Sequence, residues 1–182
     1  MRQRPGPNGR LRSDGRVKDS SQSQWIVDAL KLHEASLLRY ATWALQDSEA
    51  AKEVVQEAFL RLCREEQSKV GGHVAQWLFT VCRNLAYDYS KREARMTPLE
   101  DIDIRVDSSL EQRETVGDIF RFMEYLPKNQ REVLYLKFQS DLSYKEISEV
   151  TKLSVGNVGL LIHTALRAIR KRVLAEPVRR IQ

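Results

Sequence analysis

The stretch SYKEISEVTKLSVGNVGLLIHTALRAIRKRV, residues 143–173, decides the fold of the second half of the chain. Ser143 and Glu146 form the S-x-x-E pattern of a capping box, which predicts the start of a short helix. Ser154 can cap a second, longer helix after a short turn. These two helices would share an apolar inward face made of Ile147, Val150, Leu153, Val158 and Ile162. The pattern predicts a helix-turn-helix, which places its second helix in the major groove of DNA.

The outward side of the second helix is polar near its start and basic near its end. The early residues are expected to point outward, and Asn157 in the first turn to reach base edges: Ser154, Asn157 and His163. The later residues are expected to hold phosphates: Arg167, Arg170, Lys171 and Arg172. The alternative is a plain helical hairpin with a solvated basic end. The capping box, the turn length and the placement of charge together favour DNA binding.

Helical spacing of apolar residues also dominates the first half of the chain. It predicts two helices between Gln24 and Glu66, separated near residues 46–48. A third helix is predicted over about 74–94, after the flexible sequence QSKVGG. Because no alternating strand pattern of useful length occurs, the predicted fold class is all-α, with these three helices around one core.

Composition shifts divide the chain into two small helical domains with tails. Residues 1–22 are basic and almost free of apolar side chains, which predicts a disordered tail. The first domain is predicted at 23–96, and an acidic, proline-interrupted linker at 97–114. The second domain, at 115–176, should begin with helices over 118–126 and 129–138, and a basic tail should occupy 177–182.

The charge is distributed in three blocks. Residues 1–18 and 165–182 each hold six basic residues and one acidic residue, a formal charge of +5 at either end, whereas the whole chain carries only +5. Basic ends on an acidic middle favour a polyanion as partner for the ends and a basic protein surface as partner for the centre. A solvated tail and helix end would explain the charge equally well.

Membrane, cofactor and catalytic classes find no support in the sequence. No apolar run approaches the roughly 20 residues of a membrane span, and the basic start lacks the apolar core of a secretory signal, which predicts a cytoplasmic protein without membrane insertion. His33, His73 and His163 lie in separate segments, and no phosphate loop or nucleophile elbow is present. We therefore expect no enzyme activity, no cofactor and no metal. Cys63 and Cys82 are expected to be free, buried thiols; with His73 they do not make a recognised ligand pattern.

The segment AQWLFTVCRNLAYDYSKREAR, residues 75–95, interleaves aromatic and basic side chains. Such a pattern suits unpaired nucleic acid, because aromatic rings stack on bases and cations hold the backbone. Aromatic residues at helical spacing are also typical of a core. We expect Trp77 and Phe79 to be at least partly core, and Tyr87, Tyr89 and the cations to face outward.

Three linked blocks carry a family resemblance. They are EVVQEAFLRL at 53–62, WLFTVCRNLAYDYSKREAR at 77–95, and LPKNQREVLYLKF with SYKEISEVTKLSVGNV at 126–158. In this order and spacing the chain resembles extracytoplasmic-function sigma factors of the sigma-70 family over about 24–174. The resemblance implies a region 2 domain and a region 4 domain, with core RNA polymerase, promoter DNA and an anti-sigma factor as partners.

The resemblance also implies a role for each block. The polymerase-docking residues would be Glu53, Gln56, Glu57, Phe59, Leu60 and Arg61. The residues that melt the minus-10 element, with the loop 67–76 before them, would be Arg83, Asn84, Tyr87, Asp88, Lys91 and Arg92. The minus-35 element would be read by Ser154, Asn157, His163, Arg167, Arg170 and Lys171. As alternatives, Glu53 and Glu57 could be ordinary exposed charges, and Asn84 with Asp88 a surface pair.

The second helix of the helix-turn-helix departs from the family pattern. After Val158 the family commonly carries lysine and arginine, whereas this chain has Gly159, Leu160, Leu161 and then Thr164. The two leucines either pack against the domain or a regulator, or contact thymine methyl groups, and we favour packing. Lys152 replaces a glycine often found in the turn, which predicts modest strain if the turn needs a positive φ.

Two other functions stay open at this point. A stand-alone helix-turn-helix regulator would bind duplex DNA without polymerase, usually as a dimer. A protein-interaction module would bind polymerase without promoter specificity, which the aromatic and basic helix argues against.

Overall fold

The computed structural model describes residues 14–96, 122–123 and 125–175 of the chain. Helices make up its regular structure, and no strand occurs within those ranges. In chain order they are α1 (Asp14–Leu45), α2 (Ser48–Arg64), α3 (Gln67–Val70), α4 (Val74–Met96), α5 (Lys128–Phe138), α6 (Tyr144–Thr151) and α7 (Val155–Ala175). The all-α prediction is confirmed.

The first unit is built from α1, α2 and α4, which pack pairwise around buried side chains such as Leu37, Leu62 and Phe79. The predicted break between the first two helices is present, since Gln46 has a φ of 55°. Asp47 then caps α2, because its carboxylate accepts hydrogen bonds from the backbone N–H groups of the next turn at 2.9 and 3.1 Å.

Two local predictions in this unit were wrong. Helix α1 begins at Asp14, inside the segment predicted as a disordered tail, and residues 1–13 lie outside the described residues. The Gln22 side chain is held in place because its Nε2 donates to the Glu65 carbonyl at 2.7 Å. The stretch predicted as flexible begins with the single turn α3, which ends at Gly71, where φ is 59°.

The second unit packs α5, α6 and α7 together. The Ser143 hydroxyl accepts a hydrogen bond from the Glu146 N–H at 3.3 Å, and the Glu146 carboxylate accepts one from the Ser143 N–H at 2.8 Å, which confirms the capping box. The Ser154 hydroxyl accepts from the Asn157 N–H at 3.2 Å and caps α7 as predicted. Lys152 ends α6 with a φ of 62°, so the expected left-handed turn residue is also present.

Between the helices of this pair, the predicted apolar stripe packs inward. Ile147, Val150, Val158 and Ile162 are buried, and Leu153 is half-buried against them. Of the helix predicted over 118–126, Phe122 and Met123 are helical and buried. The predicted linker and the residues up to 121 lie outside the described part of the chain, as does the basic tail predicted at 177–182.

The two units contact each other, which the sequence did not predict. Helix α4 packs on α6, and the rings of Trp43 and Tyr135 stack with centroids 4.9 Å apart. Buried side chains of both units therefore form one continuous cluster. A cavity of about 330 Å³ remains beside this interface, between Trp77 of α4 and Glu149 of α6.

The two cysteines lie in different surroundings. Cys82 is buried in α4, and burial raises the pKa of its thiol to about 12. Cys63 is exposed on α2, so the prediction that both thiols are buried was wrong for Cys63. The helical period explains this, because Leu62 takes the inward position at this turn.

Candidate nucleic-acid and protein interfaces

Helix α7 presents a polar and basic surface on the side opposite its buried stripe. Its exposed polar residues are Asn157, His163, Arg167, Arg170 and Lys171. Ser154 is exposed and also caps the helix. Arg172 is engaged within the domain, because its guanidinium carbon lies 3.8 Å from the centre of the Tyr125 ring.

The two leucines of α7 have different surroundings. Leu161 is half-buried and packs against the core cluster, as predicted. Leu160 is 60% exposed, so of the predicted alternatives it does not pack against the domain, and contact with a regulator or with thymine methyl groups stays open. The helical period separates them, because position 160 lies about 100° away from position 161 around the helix axis and falls on the outward side with Asn157.

Helix α4 also carries a solvent-facing row. The exposed members are Asn84, Tyr87, Asp88, Lys91 and Arg92, spaced three or four residues apart so that they share a side. Tyr87 is 67% exposed and Tyr89 is half-buried. Phe79 is fully buried and Trp77 half-buried, which confirms that the first aromatic residues of the helix belong to the core.

Arg83 belongs to the interface between the two units. Its Nε lies 2.7 Å from Glu132 Oε1, and the Tyr40 hydroxyl donates to the same oxygen at 2.8 Å. The hydrogen bond to Glu132 raises the pKa of Arg83, and burial with the Glu132 charge raises the pKa of Tyr40. In this arrangement the Arg83 guanidinium is bound to Glu132 and is only partly exposed, unlike the other members of the row.

Helix α2 exposes an acidic row with an apolar centre. Glu53 and Gln56 are exposed, and Glu57 Oε1 lies 2.8 Å from Arg61 Nε. Leu60 is 45% exposed on the same side. Phe59 is only 7% exposed and packs in the core, so it differs from its exposed neighbours in this block. Positions 59 and 60 lie about 100° apart around the helix axis, and the side chain of Phe59 points toward the core.

Comparison with known families identifies the two units. The family model for sigma-70 region 2 matches residues 30–96, and the model for sigma-70 region 4 matches residues 117–169. The sigma factor EcfG of Rhodopseudomonas palustris is 30% identical over 138 residues, which cover 71% of this chain and 75% of that protein. This chain belongs to the extracytoplasmic-function sigma factors of the sigma-70 family. It is thus a non-enzymatic factor that directs RNA polymerase to promoters.

Further relatives agree with this assignment. SigM of Bacillus subtilis is 26% identical over 151 residues, covering 80% of this chain and 93% of that sigma factor. Among solved structures, RpoE of Bartonella quintana in complex with the anti-sigma factor NepR has a TM-score of 0.63 at 20% identity and covers 88% of this chain and 99% of its own. CnrH, solved with the cytosolic domain of CnrY, has a TM-score of 0.59 at 20% identity, with 88% and 97% covered. Both structures share the fold of this sigma factor.

Within the described residues of the sigma factor, no group of three or more histidine, cysteine or acidic side chains is placed to hold a metal ion. None of the described helices is both long and apolar enough to cross a membrane.

Sequence reasoning missed the residues that join region 2 to region 4. Tyr40 and Glu132 are 92 positions apart, and Arg83 and Glu132 are 49 apart, so no local pattern could pair them. A signal was nevertheless present, because Glu132 is an acid beside the apolar run VLYL. A half-buried acid next to such a run needs a partner.

Proposed function

We propose that this sigma factor uses α2 to dock on core RNA polymerase, α4 to aid opening of the minus-10 element and α7 to read the minus-35 element. One observation carries the proposal. Each of the three helices keeps an apolar side in the core and turns outward most of the side chains of the corresponding family block, Phe59 and Arg83 excepted. Because core polymerase is a cytoplasmic enzyme, we place the action of the factor in the cytoplasm.

The chemistry of the α2 row suits a protein partner better than DNA. Glu53 and Glu57 would repel phosphates, whereas they complement a basic protein surface. Leu60 supplies an exposed apolar side chain near the C-terminal end of the row, where contact with a partner would remove it from water.

The α4 row suits single-stranded DNA. Tyr87 offers an exposed ring for stacking on a base, and Lys91 with Arg92 offers charge for the backbone one turn further along. Arg83 can join this row only after it leaves Glu132. In the proposal, strand opening therefore involves a rearrangement of the contact between the two units.

We further propose an anti-sigma protein as a regulatory partner. The structure of the sigma factor RpoE of Bartonella quintana with the anti-sigma factor NepR is a complex of this kind, and its sigma chain shares this fold.

Competition for core polymerase tests the docking surface. Glu53→Lys with Glu57→Lys should weaken core binding by about tenfold or more, because the charges facing the partner are reversed. The matched control is Asp28→Lys with Glu34→Lys, which makes the same change of charge on exposed positions of α1. Equal competition by the α2 variant and the parent would overturn the docking assignment.

In vitro transcription with purified core polymerase and a promoter library tests the function as a whole. The sigma factor should form a stoichiometric complex with core polymerase and start transcription at promoters with shared minus-10 and minus-35 sequences. Binding of an operator by the free protein as a dimer, without initiation by polymerase, would instead indicate a stand-alone regulator.

A further inference from the structure

The outward side of α7 has an apolar patch between its polar start and its basic end. Asn157, Leu160 and Arg167 follow one another at helical spacing on this side, and Leu160 is 60% exposed. The residues that pack the helix into the domain lie on the other side and include Val158 and Ile162. Leu160 is therefore not needed for the core of region 4.

The ring of Tyr144 from α6 lies beside Gly159 at the edge of this patch. A side-chain carbon at position 159 would lie 3.6 Å from Cε2 of Tyr144, an ordinary van der Waals distance. Tyr144 remains 41% exposed. The middle of α7 thus offers apolar surface where a basic side chain would otherwise stand.

The charge of α7 indicates what covers this patch. The helix contains four basic residues after Leu160 and no acidic residue along its length. Arg167, Arg170 and Lys171 are exposed. A surface with this charge complements a polyanion, and Leu160 lies between the cations and the amide of Asn157. When the cations contact phosphates on either side of the major groove, an apolar side chain at position 160 faces the edges of the bases.

The major groove of DNA displays one apolar group, the C5 methyl of thymine. We propose that Leu160 is a specificity-determining residue that contacts the methyl group of a thymine in the minus-35 element, with the Tyr144 ring beside Gly159 bordering the contact. The inference rests on the proposed function, because it requires α7 to enter the major groove.

The geometry places this thymine close to the base that Asn157 reads. Asn157 and Leu160 are three residues apart, about 4.5 Å along the helix axis. Successive bases of one strand are about 3.4 Å apart. The thymine therefore lies one or two base pairs from the base contacted by Asn157, and its position should move with that base if the reading register changes.

Replacement of thymine by deoxyuridine tests the contact, because it removes only the methyl group. The sigma factor with core polymerase is first used to define its minus-35 sequence from a promoter library, and each thymine is then replaced in turn. At one position the parent holoenzyme should bind deoxyuridine about threefold to fivefold more weakly than thymine, as expected for a buried methyl. Leu160→Ala should bind both promoters with the weaker affinity and no longer distinguish them.

Leu174→Ala is the matched control. Leu174 is an exposed leucine of the same helix, 76% exposed, and lies near the end of α7. Its variant should keep the parental response to deoxyuridine. Circular dichroism and core binding should be unchanged in Leu160→Ala, since exposed substitutions have small effects on folding.

The outcomes separate this inference from the proposed function. If Leu160→Ala distinguishes thymine from deoxyuridine as the parent does, Leu160 makes no methyl contact and the inference is overturned, while the sigma function stands. If the parent holoenzyme transcribes with no base preference in the minus-35 region, α7 is not a reader and both fall. A loss of discrimination in Leu160→Ala alone supports the assignment.

Discussion

The two candidate DNA surfaces differ in how they are held within the free protein. The α7 row is open, and its cations Arg167, Arg170 and Lys171 are exposed. The α4 row is partly constrained, because the neighbouring Arg83 is bound to Glu132 of region 4. In the roles proposed above, α7 can contact duplex DNA as it stands, whereas Arg83 must leave Glu132 before it can join the α4 row.

Removal of the Glu132 carboxylate should release Arg83, so that the α4 row becomes as accessible as the α7 row. We expect this substitution to have the largest effect. Glu132→Ala leaves Arg83 and Tyr40 without their shared acceptor, and Glu132 is only 15% exposed, so the contact between the regions should lose about 3 kcal/mol. Small-angle scattering of the free protein should show a larger radius of gyration than for the parent.

Glu49→Ala is the control for this prediction. It removes the acid of an exposed ion pair with Lys52, and such pairs contribute little. Its scattering should match that of the parent. The same radius of gyration for Glu132→Ala would show that the Glu132 contacts do not hold the two regions together.

Two substitutions test the exposed row of α7. Asn157→Ala should reduce discrimination at one base pair by about 1–3 kcal/mol, because an amide can pair with adenine through two hydrogen bonds. Arg170→Ala should weaken binding to all sequences and lower the salt slope by about one, because it removes a phosphate contact. Promoter-variant transcription and salt-dependent binding measure the two effects. Full base preference in Asn157→Ala, with altered preference in Arg170→Ala, would mean that α7 enters the groove in another orientation.

Local features of the fold could be predicted from the sequence, whereas contacts between distant residues could not. The capping box of Ser143 and Glu146 depends on residues three positions apart, and the left-handed Lys152 follows from its place between two helices. The hydrogen bond from Gln22 near the start of α1 to the Glu65 carbonyl joins residues 43 positions apart, and the Glu132 contacts join the two regions. These are tertiary facts without a short-range signal.

The exposure of the candidate site residues was predicted to a similar extent. Most residues of the α4 and α7 rows are exposed as expected, because helical spacing fixes which residues share a side. Phe59 and Arg83 are less exposed than their neighbours, for different reasons. Phe59 belongs to the same block as exposed residues but points inward, and Arg83 is bound by a residue of the other region.

The smallest effect is expected at the capping box, which positions α6 against α4 and α7. Hydrogen bonds from the Ser143 hydroxyl and backbone N–H to the Glu146 carboxylate lower the pKa of Glu146. Because the folded pKa lies below the unfolded one, this stabilisation is complete above the unfolded value of about 4.3 and is lost as the pH falls through the folded value. Glu146→Gln cannot titrate, so it should cost about 0.5–1 kcal/mol at neutral pH and show a weaker decline of stability below about pH 5. Urea unfolding between about pH 3 and 7 measures both, with Glu149→Gln, an exposed carboxylate of the same helix, as control. An equal acid dependence in Glu146→Gln and the parent would mean that the Glu146 carboxylate does not stabilise the start of α6, and that packing against α4 and α7 positions the helix instead.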